Sequence, residues 1–127
     1  MQYYISQWDR VDGTIAGPPC VPYSRIGARY GQYDTRAAVH ARVNVILVNQ
    51  CCKHSFLFFI VEQVPGMMTR KSTCPGDGSR SEWDDWIDEL TQRAPMWRVF
   101  PWMFNTSALL PQNRPRIYTI GLRVSLT

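Results

Sequence analysis

Phe56-Leu57-Phe58-Phe59-Ile60-Val61-Glu62-Gln63-Val64-Pro65-Gly66 (FLFFIVEQVPG) runs through six apolar residues, then turns abruptly to a carboxylate, an amide and Pro-Gly. Phe56 to Val61 has the length of a strand. Its lack of polar alternation predicts a central strand covered on both faces. Glu62 then falls at that strand's carboxyl end, a position where a polar side chain is displayed rather than packed.

Upstream lies a second abrupt ending, Thr14-Ile15-Ala16-Gly17-Pro18-Pro19-Cys20-Val21-Pro22-Tyr23-Ser24 (TIAGPPCVPYS). Val11 to Gly17 predicts a short strand, stopped by two prolines that fix φ and lack the N–H a ladder needs. The Cys20 thiol is thereby held at a rigid turn just past a strand end. Residues 21–35 read as an irregular loop with Arg25, Gly27, Arg29 and Gly31. Arg36 to Asn49 is apolar too densely for one face, and its length favours a buried helix. Beyond the central run, a polar, Pro- and Gly-containing flexible linker is expected near 67–80. Its Gly76-x-Gly78 has no preceding strand and reads as a turn.

Ser81 to Arg93 predicts the clearest helix, with Trp83, Trp86, Ile87 and Leu90 at i, i+3, i+4 and i+7. Ser81 and Asp84 form its capping box, and the Trp stripe reads as core packing. Met96 to Phe104 and Arg116 to Leu122 predict two more strands. Alternating strands and helices imply an open α/β sheet of about four strands with flanking helices. Ligands of such sheets gather at the carboxyl ends of the strands, which would bring Cys20 and Glu62 to one rim.

The chain's 127 residues suit one domain, and its 45% apolar share is ordinary for a globular protein. Twelve of the fourteen basic residues are Arg, within a net charge of +4. Arginine grips phosphate or carboxylate through paired hydrogen bonds in a way lysine does not. The four cysteines, at 20, 51, 52 and 74, show no disulfide framework, and the N-terminus shows no secretory pattern. A reduced, intracellular protein follows. Cys51, Cys52, His54 and Cys74 match no familiar zinc-ligand spacing, so no metal is expected. His40 and His54 take no catalytic role. No apolar run reaches membrane-spanning length.

Three stretches together carry a family likeness. Gly17-Pro18-Pro19-Cys20, followed by Ser24, Gly27, Gly31, Asp34 and Arg36, resembles the catalytic-loop motif of the cytosine-5 DNA methyltransferases. Phe59 to Gly66 resembles their Glu-Asn-Val motif. Pro111-Gln112-Asn113-Arg114-Pro115-Arg116 resembles their Gln-x-Arg-x-Arg motif, with a strand after it. The order and separations are similar to the family's, over roughly residues 11–123.

The resemblance implies a Rossmann-like methyltransferase sheet and a covalent mechanism. Cys20 would attack carbon 6 of a cytosine, Glu62 would hold or protonate ring nitrogen 3, and Arg116 would hydrogen-bond the exocyclic oxygen. The methyl group would come from S-adenosylmethionine, and the target base would be flipped out of the duplex. Ser24, Arg25, Arg29 and Arg114 would contact nucleic acid. Pro18, Pro19, Gln63 and Gln112 would support the motifs, and Gln112 would order the loop around the arginines. The partner implied is DNA, with RNA as the alternative because a related branch methylates transfer RNA. The nucleus in a eukaryote, or the cytoplasm in a bacterium or phage, is the matching compartment.

The chain departs from the family at Val21, where Gln is usual, at Gln63, where Asn is usual, and at Pro115, often acidic. It shows no glycine-rich cofactor loop and no acidic strand end for a ribose. Residues 1–127 therefore read as one partial catalytic domain without its N-terminal cofactor-binding half, and Pro19 is the remnant of the cofactor site. A complementary chain supplying that site is the expected partner. Without a neighbour, Val11 to Gly17 becomes a bare sheet edge, which predicts marginal stability or association. A catalytically inactive relative that binds nucleic acid is the competing reading.

Overall fold

The computed structural model describes residues 11–18, 38–68 and 80–124, without the side chains of 38–41. Four strands and two α-helices follow one another as β1 (Gly13–Ala16), α1 (Ala38–Cys51), β2 (Phe58–Gln63), α2 (Glu82–Arg93), β3 (Trp97–Asn105) and β4 (Pro115–Arg123). The expected strand, helix, strand, helix, strand succession holds. Residues 65–68 add a 3-10 turn in which Met67 is buried, so order persists into the start of the expected 67–80 linker. Residues 69–79 lie outside the described residues.

The sheet order is β1-β2-β4-β3. β1 and β2 pair in parallel across the α1 crossover, whereas β4 runs antiparallel to both β2 and β3. β3 is therefore parallel to β2 one slot away, and β4 folds back into the gap between them. The physical reason lies in the connections. A helix separates β2 from β3, but only residues 106–114 separate β3 from β4, and a connection that short favours an antiparallel return. The α/β sheet is mixed rather than purely parallel.

The two helices are stabilised differently. In α2 the Ser81 Oγ accepts from the Asp84 N–H at 3.1 Å while the Asp84 Oδ2 accepts from the Ser81 N–H at 2.8 Å. This reciprocal cap, with acidic residues in the first turn and Arg93 in the last, favours the helix in that register. Helix α1 has neither acid at its start nor base at its end. Its C-terminus is closed from a distance: the Cys51 carbonyl accepts from Trp97 Nε1 at 2.9 Å and from Arg123 Nη2 at 2.8 Å. The expected full burial of this helix is not what forms. Leu47, Val48, Gln50 and Cys51 are buried, while Val45 is 57% exposed.

Burial along β2 alternates, and this corrects the expectation of a strand covered on both faces. Phe59, Val61 and Gln63 are buried; Phe58, Ile60 and Glu62 are not. Phe59 and Val61 join one core with Leu47, Cys51, Trp83, Trp86, Leu90 and Trp97. Each fully buried Phe or Leu in it stabilises by about 1.5–3 kcal/mol relative to exposure. On the other face the register aligns Ile15, Ile60, Ile120 and Phe100 across all four strands. Ile15 is 75% exposed and Phe100 43% exposed.

Glycines let two phenylalanines lie flat on the sheet: the Phe58 ring covers Gly13, and the Phe59 ring covers Gly121 on the core side. β1 pairs on one side only among the described residues, so it is the edge strand the sequence expects. The opposite edge, β3, carries Pro101 and Arg98, which discourage further pairing, whereas β1 has neither a proline nor a charge. No helix among the described residues is long and apolar enough to cross a membrane.

Candidate active site

The ends of β1 and β2 meet as their parallel register dictates. Ala16 pairs with Val61, so Gly17 comes beside Glu62. A Cβ placed on Gly17 would sit 3.2 Å from Glu62 Oε2, which puts the close of β1 against the carboxylate. Pro18 is buried just beyond. Pro19, Cys20, Ser24, Arg25 and Arg29 lie outside the described residues, so the site is described from its carboxylate and arginine side.

Arg116 approaches from β4. Its Nε donates to Glu62 Oε1 at 2.9 Å, and its Nη1 donates to the Pro115 carbonyl at 2.8 Å. The guanidinium is held at two points and pre-aimed at the rim. Arg114 Nη2 stands 4.0 Å from the same Glu62 oxygen. Glu62 and Arg116 keep 35% and 20% of their side chains accessible, so the pair is partly shielded yet reachable. The resemblance names both residues, and the fold brings them into contact although they are 54 positions apart in sequence.

The hairpin tip between β3 and β4 holds the two arginines in place. Gln112, expected to order this loop, contributes through its backbone: its carbonyl accepts from Thr106 Oγ1 at 2.9 Å. Asn105, which sequence reasoning missed, does more. Its Oδ1 accepts from the N–H groups of Ser107 and Arg114, each at 3.1 Å, and its Nδ2 donates to Asn113 Oδ1 at 2.8 Å. The available signal was an Asn at a strand end before a turn, where its short amide replaces missing backbone partners.

Gln63 points the opposite way, as strand alternation requires. Its Oε1 accepts from Thr119 Oγ1 at 2.9 Å, and Thr119 Oγ1 accepts from Trp83 Nε1 at 2.9 Å. Trp83 is buried as the stripe predicts, and it also carries a polar duty that its periodicity did not reveal.

Cys51 is the contrasting thiol. It is 1% exposed, and burial, reinforced by Cys52, pushes its pKa from 9.0 to about 12, against the opposing pull of Arg123. A thiol so protonated at neutral pH is no nucleophile. No group of three His, Cys, Asp or Glu side chains able to hold a metal occurs among the described residues. Those residues do not fit a S-adenosylmethionine site either. Among the described residues, the rim of β1 and β2 offers a single carboxylate, Glu62, already engaged by Arg116, and no glycine-rich turn.

Solved methyltransferase structures share this fold. Entamoeba histolytica methyltransferase EhMeth superposes with a TM-score of 0.62 at 15% identity, over 95% of this chain and 35% of that one. A mutant of Spodoptera frugiperda DNMT2 gives 0.57 at 20% identity, over 100% and 34%. The S. pombe Dnmt2 methyltransferase gives 0.58 at 12% identity, over 95% and 32%. The chain thus spans about a third of the length of each. No curated protein matches it in sequence. The family model for C-5 cytosine-specific DNA methylase matches residues 2–127. That match over nearly the whole chain means that the chain belongs to the C-5 cytosine-specific DNA methylase family.

Proposed function

We propose that this chain supplies the cytosine-activating part of a DNA cytosine-5 methyltransferase. The observation that carries the reading is the Glu62–Arg116 pair, 2.9 Å apart, at the rim where β1 ends. In this reading the Cys20 thiolate adds to carbon 6 of a flipped cytosine. A sulfur–carbon bond forms, and the π pair between carbons 5 and 6 moves into the ring toward nitrogen 3 and the exocyclic oxygen. Glu62 hydrogen-bonds nitrogen 3 or passes it a proton, and Arg116 donates to the oxygen as charge grows there. Carbon 5 is left nucleophilic. Arg114, with Arg25, Arg29 and Ser24, holds the phosphates that flank the flipped base.

S-adenosylmethionine is the methyl donor that comes with this reading, and a complementary chain furnishes its site. The test is covalent trapping. The chain is mixed with the cofactor-binding half of a family member, S-adenosylmethionine and a duplex carrying 5-fluorocytosine. A denaturation-resistant adduct should form with the wild type and be absent with Cys20→Ser. No adduct from the wild type under these conditions would overturn the proposal and favour an inactive relative that only binds nucleic acid. An adduct with fluorocytosine in RNA but not in DNA would move the substrate to the RNA branch.

A further inference from the structure

The buried line from Trp83 through Thr119 to Gln63 has a direction. An indole N–H can only donate, so Thr119 Oγ1 must accept from Trp83 and spend its own proton on Gln63 Oε1. We infer that Trp83 and Thr119 are positioning residues for the Glu62–Gln63 segment: they lock the Gln63 carboxamide with its oxygen toward Thr119 and its N–H donors turned away. All three residues are enclosed, with Thr119 0%, Gln63 2% and Trp83 9% exposed, so water does not compete for these bonds.

The consequence reaches Glu62 through the strand. Adjacent residues of β2 point to opposite faces, so anchoring Gln63 on the core side fixes the roll of the backbone. That roll sets the angle at which Glu62 leaves the other face toward Arg116. Three elements meet in the lock: α2 gives Trp83, β4 gives Thr119, and β2 gives Gln63. The side-chain length matters as well. Thr119 stands opposite Val61 and Gln63 opposite Ile117, so the Gln63–Thr119 bond is diagonal. An Asn at position 63 would fall short by one carbon–carbon bond, about 1.5 Å. Gln63 in place of the shorter amide is what closes the line.

This inference rests on the proposed role of Glu62, but its test does not need turnover. Hydrogen exchange of the Gln63 carboxamide and the Trp83 indole N–H, together with that of the Arg116 Nε–H bonded to Glu62, is followed by NMR on the 127-residue chain. Thr119→Val keeps the shape and removes the hydroxyl; Thr119→Ser keeps the hydroxyl and removes a methyl. Exchange at Gln63 should quicken about tenfold in Thr119→Val and in Trp83→Phe, and exchange of the Arg116 Nε–H that Glu62 accepts should quicken with it. Thr119→Ser should behave as wild type on both readouts.

The reverse order, Val like wild type and Ser altered, would mean that position 119 merely packs, and would overturn the inference. So would unchanged exchange of the Arg116 Nε–H in all variants. Should Thr119→Val fail to fold, Trp83→Phe against Thr119→Ser decides in the same way. A wild type that shows the lock but traps no cytosine sinks the proposed reaction and leaves the positioning network standing.

Discussion

Replacing Arg123 by Met should loosen the joint between α1 and the sheet, and the structure allows the cost to be worked out. Arg123 donates from Nε to the Phe56 carbonyl at 3.0 Å and from Nη2 to the Cys51 carbonyl at 2.8 Å, with a further bond to the Lys53 carbonyl. Its guanidinium also lies 5.5 Å from the Trp97 ring centroid. Not every bond counts in full. The Cys51 carbonyl keeps Trp97 as a donor, and half-buried Lys53 can turn to water.

Phe56, however, is 0% exposed, and its carbonyl would lose the side-chain donor it has. An unmatched buried acceptor costs about 1–3 kcal/mol. The cation–π contact contributes about 0.5–1 kcal/mol, and a cation at a helix C-terminus about as much again. Met restores some apolar contact, so the net loss should be about 2–4 kcal/mol, or roughly 10 °C in Tm for a domain of this size. Urea unfolding followed by far-UV circular dichroism and Trp fluorescence measures it, and Arg123→Lys should lose about half as much. A Met variant within about 0.5 kcal/mol of wild type would refute the reasoning, because the carbonyls would then be satisfied without the guanidinium.

Glu62→Gln should keep the fold, since Glu62 is half-exposed, and lower the trapping rate about a hundredfold or more, measured by adduct formation over time. Gly121→Ala should cost about 1–3 kcal/mol, because the new methyl meets the immobile Phe59 ring. Gly13→Ala should cost less in the same urea titration, since the Phe58 ring it meets is 37% exposed and can swing out. Iodoacetamide at neutral pH should label exposed Cys52 and spare Cys51 until the chain unfolds, as peptide mass spectrometry would show.

The Cys51 thiol holds its proton more tightly folded than unfolded. Between 9.0 and about 12 the native state therefore binds more protons, and stability should fall as pH rises through that window, in urea titrations at stepped pH. Ile15→Lys should reduce concentration-dependent association in sedimentation, because it puts a charge on β1, which stands at the sheet's edge among the described residues.

The sequence alone determined the elements and named the carboxylate and the arginine that meet at one rim. Six continuous apolar residues, a Pro-Pro stop and a capped amphipathic helix are local signals, read over a few residues, and the structure forms each element where they point. The three motifs, likewise contiguous, named Glu62 and Arg116 before any contact between them was known. Tertiary structure decided what depends on residues far apart in the chain. It inserted β4 antiparallel between β2 and β3, and it placed both helices' buried residues in a core on one face of β2, leaving the other half-open. It gave Asn105, Thr119 and Arg123 their roles, because each acts on partners that strand register supplies rather than sequence neighbours. Periodicity tells which side chains share a face. Whether a buried Trp only packs or also donates depends on the acceptor that another strand brings to it.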